Sequence, residues 1–434
     1  MNGFYCILTY GCQMNENDSE KMAGQLASQG YLATDNLEEA DVIVINTCCV
    51  RESAEKKIYG KIGELKRHKQ ERPHIRIIIT GCMAQKDKER LLRKASHVDL
   101  VMGTNMIHHL AAWLGEQRTG ERSVLAEAET QIVEEMPVVR KSGVAAWVPI
   151  MFGCNNFCTY CIVPYVRGRE RSRELADIVE EVRGLAAEGY QEITLLGQNV
   201  NSYGKGTSNT FAALLRALDD IPGLLRIRYM TSHPRDMDEA VIEAVAQSKH
   251  ITTHFHLPIQ AGNNEILRQM NRGYTREDYL ELVRKVRAAV PDAVLTTDLI
   301  VGFPGETEEM FADTLALVEE VGFDASYTFL YSSRSGTPAA EMKEQVPLAV
   351  KKERLQRLLT LQEKVALACN EKLLHTCQDI LIEGPSKTNS KHWAGRTRGN
   401  KLVLWPHQAG QKPGDLIQVR ITKAQTWILK GESV

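Results

Sequence analysis

Three cysteines within eight residues constrain this chain more than any other feature. Cys154, Cys158 and Cys161 follow a C-x3-C-x2-C spacing, and no fourth cysteine lies nearby. A structural zinc site uses four closed ligands, usually as two C-x2-C pairs. A [4Fe–4S] cluster has four irons, so three thiolates leave one iron without a protein ligand. The spacing therefore favours a cluster with an open iron over a zinc site or plain structural cysteines.

The chain is too long for one ordinary core. Its 434 residues, 43% hydrophobic and 25% charged, indicate a soluble globular protein of two or three domains. No apolar run approaches the roughly 20 residues needed to span a bilayer, and the N-terminus lacks a secretory pattern. We therefore expect a cytoplasmic protein with no membrane segment. In that reducing compartment, cluster ligation suits the ten cysteines better than disulfide formation.

Residues 1–118 alternate apolar strand patterns with helical patterns. This alternation predicts a doubly wound α/β domain with a parallel sheet. The predicted strands are 4–9, 42–45, 76–80 and 98–102. One helix is predicted to begin at a cap within 17–20 and to end at Gly30, and a second to cover 52–69.

A second set of cysteines follows the predicted strands of this domain. Cys12, Cys48 and Cys82 each come directly after a strand, in the segments YGCQMN, NTC and GCMAQ. Open α/β sheets gather their ligands at the carboxyl ends of parallel strands. These residues therefore form a second candidate triplet of cluster thiolates, although three small buried residues packing under loops would give the same pattern.

Polar, irregular sequence at 119–143 predicts a linker, and 144–370 predicts a partial (β/α) barrel of six strands. In such barrels the functional groups lie at the carboxyl ends of the strands. The polar residues predicted there are Asn199, Ser232, Gln260, Asp298 and Ser332. A small molecule held in the barrel mouth would contact groups of this kind.

The last segment, 371–434, is rich in basic residues and in short strands, which are predicted at 379–383, 402–405, 416–421 and 426–430. It carries ten Lys or Arg against five Asp or Glu, although the whole chain has a net charge of −2. A small β-barrel with a basic surface is typical of an appended nucleic-acid-binding module. We expect Arg396, Arg398 and Lys401 to contact RNA, with Trp393 and Trp405 either stacking on bases or packing in the core.

Alternate arginines follow the first cysteine loop directly. They are Arg167, Arg169, Arg171 and Arg173. The pattern predicts contacts with RNA phosphates close to the active site, and a solvated charged turn is the alternative.

The cysteine segments together resemble the methylthiotransferase family of radical S-adenosylmethionine (SAM) enzymes. The resemblance covers the whole chain and implies an N-terminal α/β domain, a radical SAM barrel and a C-terminal TRAM domain that binds RNA. It implies an auxiliary [4Fe–4S] cluster on Cys12, Cys48 and Cys82, and a SAM-binding one on Cys154, Cys158 and Cys161. Cys48 is preferred to Cys49 because the family ligand directly follows Asn-Thr.

The family chemistry consists of radical formation from SAM followed by methylthiolation of adenine C2. The resemblance implies that the first cluster cleaves SAM, and that the resulting radical abstracts hydrogen from C2 of an adenine. The auxiliary cluster would supply the methylthio group, and two SAM molecules would be consumed. It also implies SAM contacts by Gln198 and Asn199 after the second barrel strand, and by Asp298 and Gly302 near the adenine.

The segment YGCQMN favours family members that act on N6-isopentenyl(dimethylallyl)adenosine next to the tRNA anticodon. Alternatives are action on threonylcarbamoyladenosine in tRNA, action on an aspartate of a ribosomal protein, or a non-enzymatic iron–sulfur RNA-binding protein. The expected partners are tRNA, a flavodoxin- or ferredoxin-like electron donor, and proteins that donate sulfur or clusters. We expect a monomer.

Overall fold

The computed structural model describes residues 3–49, 52–116, 121–127, 131–140 and 143–434. The strands in chain order are β1 (Phe4–Thr9), β2 (Leu32–Ala33), β3 (Val42–Thr47), β4 (Arg76–Gly81), β5 (Leu100–Met102), β6 (Ser123–Leu125), β7 (Ala145–Pro149), β8 (Met151–Phe152), β9 (Arg171–Ser172), β10 (Glu192–Leu196), β11 (Arg226–Tyr229), β12 (His254–His256), β13 (Val294–Val301), β14 (Ala325–Leu330), β15 (Cys377–Pro385), β16 (His392–Thr397), β17 (Leu402–Pro406), β18 (Leu416–Ala424) and β19 (Leu429–Ser433). The helices are α1 (Gln13–Ser28), α2 (Glu52–Glu71), α3 (Cys82–Lys94), α4 (Leu110–Glu116), α5 (Val163–Arg167), α6 (Leu175–Ala187), α7 (Phe211–Asp219), α8 (Glu239–Gln247), α9 (Asn264–Gln269), α10 (Arg276–Ala289), α11 (Glu308–Val321), α12 (Pro338–Glu341) and α13 (Leu348–Glu371).

Two compact units make up the chain. The first comprises residues 1–142, 151–155 and 161–173, and the second comprises 143–150, 156–160 and 174–434. The chain therefore passes between the units within the C-x3-C-x2-C loop. None of the described helices is long and apolar enough to cross a membrane.

The first unit contains a six-stranded parallel sheet in the order β2-β1-β3-β4-β5-β6. Alternate residues of β3 enter two different cores, because successive side chains of a strand point to opposite faces. Ile43 and Ile45 pack with Ile58 of α2 and Leu91 of α3. On the other face, Val42 and Val44 pack with side chains of α1 and α4. Helices on both faces confirm the predicted doubly wound α/β class.

Two predictions for this unit are wrong. Helix α1 begins at Gln13, four residues before the predicted cap, because Cys12 is its N-cap residue. The segment 119–143 is not simply a linker, since Ser123–Leu125 form β6 and extend the sheet beside β5. A three-residue strand between polar stretches has too little periodicity to be recognised in the sequence. Residues 119–120, 128–130 and 141–142 lie outside the described part.

The second unit contains the six predicted barrel strands. Strands β7, β10 and β11 form one parallel sheet, and β12, β13 and β14 form another. An isolated parallel bridge between Ile227 and Ile251 connects the two edges. The partial (β/α) barrel is therefore confirmed. It orients the carboxyl ends of all six strands in the same direction.

A closed five-stranded β-barrel, in the order β15-β16-β17-β19-β18, follows the long helix α13. The prediction of a small C-terminal β-barrel is confirmed, although the sequence reading missed β16. Its interior is apolar, and the buried Trp393 and Trp405 lie in this core. The two tryptophans are thus core residues and do not form a stacking platform for bases.

Candidate functional site

The Cys12, Cys48 and Cys82 loops lie at one edge of the first sheet. Strands β1, β3 and β4 are direct neighbours and run parallel, so their carboxyl ends meet at this edge. Cys12 caps α1, Cys48 directly follows β3, and Cys82 is the first residue of α3. The strand order reverses between β1 and β3, and such switch points are where doubly wound sheets bind ligands.

Asparagine side chains tie the first two loops together. The Asn15 amide donates hydrogen bonds to Asn46 Oδ1 at 2.9 Å and to the Thr47 carbonyl at 3.2 Å. The Asn46 amide donates in return to the Asn15 carbonyl at 2.8 Å. Both side chains are buried. The asparagines of the YGCQMN and NTC segments therefore hold the Cys12 and Cys48 loops in register, a role that the sequence did not reveal.

Close backbone packing explains the glycine before Cys82. Gly81 has a φ of 91°, and a Cβ there would lie 2.3 Å from the Thr47 carbonyl oxygen. A side chain would therefore push the Cys82 loop away from the Cys48 loop. Position 81 needs glycine because the Cys82 and Cys48 loops are in direct contact there.

Cys82 lies beside the thiol of Cys49 and the guanidinium of Arg167. A hydrogen bond from the Cys49 thiol lowers the pKa of Cys82, and the guanidinium of Arg167 acts in the same direction. The same hydrogen bond raises the pKa of Cys49. Thiolates are the form that ligates iron. Of the adjacent Cys48 and Cys49, the one that hydrogen-bonds to Cys82 is thus Cys49. The choice of Cys48 as the cluster ligand stays a prediction.

Arg167 is a buried residue of this site, and its predicted contact with RNA phosphates is not supported. Its Nη1 lies 2.9 Å from Asp18 Oδ2, and both side chains are about 5% exposed. The Nη2 atom is also buried and has no hydrogen-bond partner among the described residues. A buried donor of this kind favours an anionic acceptor beside the cysteines.

The described side chains hold no tight metal-binding group of three or more His, Cys, Asp or Glu residues. The triplet of Cys12, Cys48 and Cys82 nevertheless fits a cluster by its chemistry. It offers three sulfur donors at one sheet edge, a lowered pKa at Cys82 and a buried cation beside them. Thiolate ligands in such surroundings suit an iron–sulfur cluster.

A glycine in the left-handed region precedes the C-x3-C-x2-C loop. Gly153 has a φ of 76°, and a Cβ there would lie 2.0 Å from the Arg169 carbonyl oxygen. The Cys154 amide donates to the Gly168 carbonyl at 3.1 Å, which pins the start of the loop to the turn after α5. In the second unit, Cys158 is buried and accepts a hydrogen bond from Arg272.

Ser232 and His233 offer unpaired polar atoms in the loop that follows β11. Ser232 Oγ and His233 Nε2 are buried and have no partner within the described ranges. Burial lowers the pKa of His233 to about 2, so the ring is neutral. Its Nδ1 accepts from the Arg235 amide at 3.3 Å, which leaves Nε2 as a donor. The predicted contact of Ser232 with SAM fits this environment, and His233 is a candidate that the sequence reading missed.

The other predicted SAM contacts differ in their environment. Asn199 bridges two loops, because its amide donates to Asp236 Oδ2 at 2.7 Å and its oxygen accepts from the His233 amide at 3.0 Å. Gln260 has a φ of 77° and its backbone bonds to Asp298 and Ile300 of β13. Gln198 and Gly302 follow β10 and β13 as expected.

The placement of Asp298 at a strand end is wrong. The residue lies inside the eight-residue strand β13, opposite Tyr327 of β14. Its Oδ1 is 3.6 Å from His256 Nε2. The strand continues for three residues beyond it because Leu299, Ile300 and Val301 keep pairing with β14.

Most of the predicted RNA-contacting cations bind within their own unit. Lys401 Nζ lies 2.6 Å from Asp324 Oδ1, with the lysine side chain 11% exposed. Arg398 donates to the carbonyls of Ile251 and Ser248, and Arg396 Nε pairs with Glu383 at 2.9 Å. These contacts of Arg398 and Lys401 attach the small barrel to the strands and loops of the larger one, so they do not support the predicted contact with RNA, which stays a prediction.

The arginines that follow the cysteine loop differ in their solvent exposure. Arg173 is buried and pairs with Glu134 at 2.6 Å, so its predicted contact with RNA is not supported. Arg171 is half-buried and donates to Asn105 at 3.2 Å. Arg169 is exposed, and its contact with RNA stays a prediction.

Comparison with known proteins places three domains along this chain. Family models match for the uncharacterized protein family UPF0004 at residues 5–103, the radical SAM superfamily at 148–318 and the TRAM domain at 374–434. The radical SAM methyltransferase TsrM from Kitasatospora setae has a similar fold, with a TM-score of 0.56, 17% identity and coverage of 78% of this chain and 74% of that one. The fold and the three domains define a radical SAM enzyme.

Curated relatives identify the branch of that class. The tRNA-2-methylthio-N(6)-dimethylallyladenosine synthase of Acetivibrio thermocellus is 52% identical over 99% of this chain and 91% of its own length. The synthase of Desulforamulus reducens is also 52% identical, over 99% of this chain and 95% of its own. The chain belongs to the tRNA-2-methylthio-N(6)-dimethylallyladenosine synthase family.

Proposed function

We propose that this chain adds a methylthio group to C2 of N6-dimethylallyladenosine next to the anticodon of tRNA. The reaction uses SAM and two [4Fe–4S] clusters. The observation that carries the proposal is the presence of two cysteine triplets, one of them at the switch point of a separate α/β domain, in a chain of this family. The triplet of the C-x3-C-x2-C loop serves SAM cleavage, and the triplet of the α/β domain serves sulfur transfer.

The residues of the chain have distinct parts in this function. Cys154, Cys158 and Cys161 would hold the cluster that delivers an electron for SAM cleavage. Cys12, Cys48 and Cys82 would hold the auxiliary cluster, whose loops Asn15 and Asn46 keep in place. Ser232 Oγ and His233 Nε2 would meet polar groups of SAM in the barrel mouth.

A deletion experiment tests the substrate. Mass spectrometry of tRNA nucleosides from cells lacking this protein should show loss of the methylthio group with the dimethylallyl group retained. The wild-type gene should restore the methylthio group. Loss from threonylcarbamoyladenosine, or from an aspartate of a ribosomal protein, would assign the alternative substrate. Reduced, cluster-loaded protein that left SAM intact would indicate a non-enzymatic iron–sulfur protein.

The RNA-facing surface of the small barrel is proposed to lie at the β18–β19 hairpin. Lys423 and Lys430 are exposed and stand directly opposite each other, and Trp427 at the tip is 52% exposed. Like charges in cross-strand pairs destabilise a sheet, and a bound phosphate removes that cost. An exposed aromatic ring beside two cations suits base stacking with phosphate contact.

Replacing Trp427 by alanine should weaken tRNA binding by about 1–3 kcal/mol, the usual contribution of one stacked base. Lys423→Ala should reduce the slope of log affinity against log salt by about 1. Filter binding at several salt concentrations measures both effects. Lys352→Ala, an exposed lysine of α13, is the matched control and should bind as wild type. Equal affinities for all four proteins would place the RNA surface elsewhere.

The remaining partners follow from the chemistry. A flavodoxin- or ferredoxin-like protein would supply the electron, and sulfur or cluster donors would reload the auxiliary site. The reaction requires tRNA and these donor proteins in one compartment, so we propose that the protein is cytoplasmic. We also propose that it is a monomer.

A further inference from the structure

A buried arginine contacts one of the three cysteines of the C-x3-C-x2-C loop. Arg272 Nη1 donates to Cys158 Sγ at 3.2 Å. Arg272 is 4% exposed and Cys158 is 7% exposed, so the hydrogen bond is shielded from water. Hydrogen bonds to cluster sulfurs and nearby charges set the reduction potentials of iron–sulfur clusters.

The other donors of Arg272 fix its orientation. Nη2 donates to the Pro258 carbonyl at 2.6 Å, and Nε donates to Tyr274 Oη at 2.9 Å. Tyr274 in turn donates to the Pro258 and Ile259 carbonyls at 3.2 Å. The guanidinium is therefore anchored to the segment after β12, and its remaining edge points at Cys158.

The turn that carries Arg272 also holds the backbone around Cys158. Thr159 donates through its amide to the Met270 carbonyl at 3.1 Å and through Oγ1 to the Gln269 carbonyl at 2.8 Å. Asn271, with a φ of 58°, donates to the Phe157 carbonyl at 3.1 Å. Asparagine tolerates this left-handed conformation, so the turn can present its side chain to the backbone beside Cys158.

The charge of Arg272 has no carboxylate partner. Among the described residues, no Asp or Glu oxygen lies within 4 Å of its guanidinium, and its neighbours are a thiol, two phenols and a carbonyl. A guanidinium stays protonated even when it is buried. A buried, unbalanced cation is costly unless an anion arrives beside it. A thiolate-bound cluster, which becomes more negative on reduction, would supply that anion.

We propose that Arg272 is a positioning residue for the cluster held by Cys154, Cys158 and Cys161. It orients the Cys158 sulfur and stabilises the reduced state of that cluster. This inference rests on the proposed function, because it requires a cluster at this triplet.

The test uses the full chain with Cys12, Cys48 and Cys82 all replaced by alanine, so that one cluster remains. In this parent we compare Arg272→Gln, Arg272→Lys and Arg268→Lys by iron content and by the reduced fraction in a redox titration followed by electron paramagnetic resonance. Arg268 is an exposed residue of α9 and provides the matched control. Arg272→Gln should lower the ratio of reduced to oxidised cluster about tenfold at a fixed potential, which corresponds to about 59 mV for one electron. Arg272→Lys should fall between Arg272→Gln and the parent, and Arg268→Lys should match the parent.

Each outcome bears on the inference. Equal reduction in all four proteins would overturn it, and so would thermal unfolding data showing that both Arg272 variants lose the fold. Loss of iron from Arg272→Gln, with iron retained in Arg272→Lys, would support the orientation of Cys158. A parent that binds no iron would instead refute the proposed cluster at this triplet, so failure of the function and failure of the inference are distinguishable.

Discussion

Replacing Cys12 by alanine should abolish the methylthiolated nucleoside while SAM cleavage continues. The two cysteine triplets belong to different segments of the chain, and Cys12 lies at the β1 edge of the first sheet. Removing it should disable sulfur transfer without touching the cysteines proposed to serve SAM. Anaerobic assays of 5′-deoxyadenosine and of nucleosides from isopentenylated tRNA measure the two activities separately.

Adjacent cysteines provide a matched pair of variants. Cys48→Ala should behave as Cys12→Ala does, whereas Cys49→Ala should still make product if Cys48 is the ligand. The reciprocal variant Cys154→Ala should lose both SAM cleavage and product. Full product formation by Cys12→Ala would remove the auxiliary cluster from the mechanism, and SAM cleavage by Cys154→Ala would remove the radical site. Product from Cys48→Ala with none from Cys49→Ala would transfer the ligand role to Cys49.

Replacing Arg167 by methionine should destabilise the first unit by about 3–5 kcal/mol, the usual cost of breaking a buried ion pair. The substitution leaves the Asp18 carboxylate buried without its partner 2.9 Å away. The measurement is the unfolding transition of the first unit in urea, followed for the full chain. Because a chain of this size can unfold in several steps, the change is compared as a shift of the same transition.

Two further variants separate charge from packing. The double variant Arg167→Met/Asp18→Asn removes both charges and should recover part of the loss. Arg67→Met breaks an exposed pair with Glu71 on α2 and should cost less than about 1 kcal/mol. If Arg167→Met were no more destabilising than Arg67→Met, the Arg167–Asp18 pair would not be a structural element of the cysteine site.

Sequence reasoning located the cysteines well, because their positions depend on local pattern. A buried strand followed by cysteine can be read directly, and parallel strands place their carboxyl ends at one edge. Local patterns mislead where two local rules compete. The cap of α1 is predicted within 17–20 because Asn17 and Asp18 resemble caps, whereas Cys12 takes that position. Strand β16 was missed because Gly395 and the flanking polar residues resemble a turn.

The sequence could not predict where the cations lie. Arg167 and Arg169 are two residues apart in one basic run, yet the first is buried against Asp18 and the second is exposed. The sequence predicts Lys401 as an RNA-contacting cation of the small barrel, but its side chain binds Asp324, which is distant in the chain. Solvent exposure and ion pairing depend on residues brought together by the fold, so a charged residue has the same appearance in sequence whether it meets RNA or a buried carboxylate.

By itself, the sequence determined the α/β class of the first domain, the partial barrel, the small C-terminal β-barrel and the two cysteine triplets. These features follow from periodicity and spacing along one stretch of chain. Only the tertiary structure decided that Arg167 borders Cys82, that Arg272 donates to Cys158 and that Asn15 and Asn46 join two loops. Those contacts link residues from about 30 to more than 100 positions apart in the chain. A contact of that kind depends on distance and orientation in space, which no local pattern encodes.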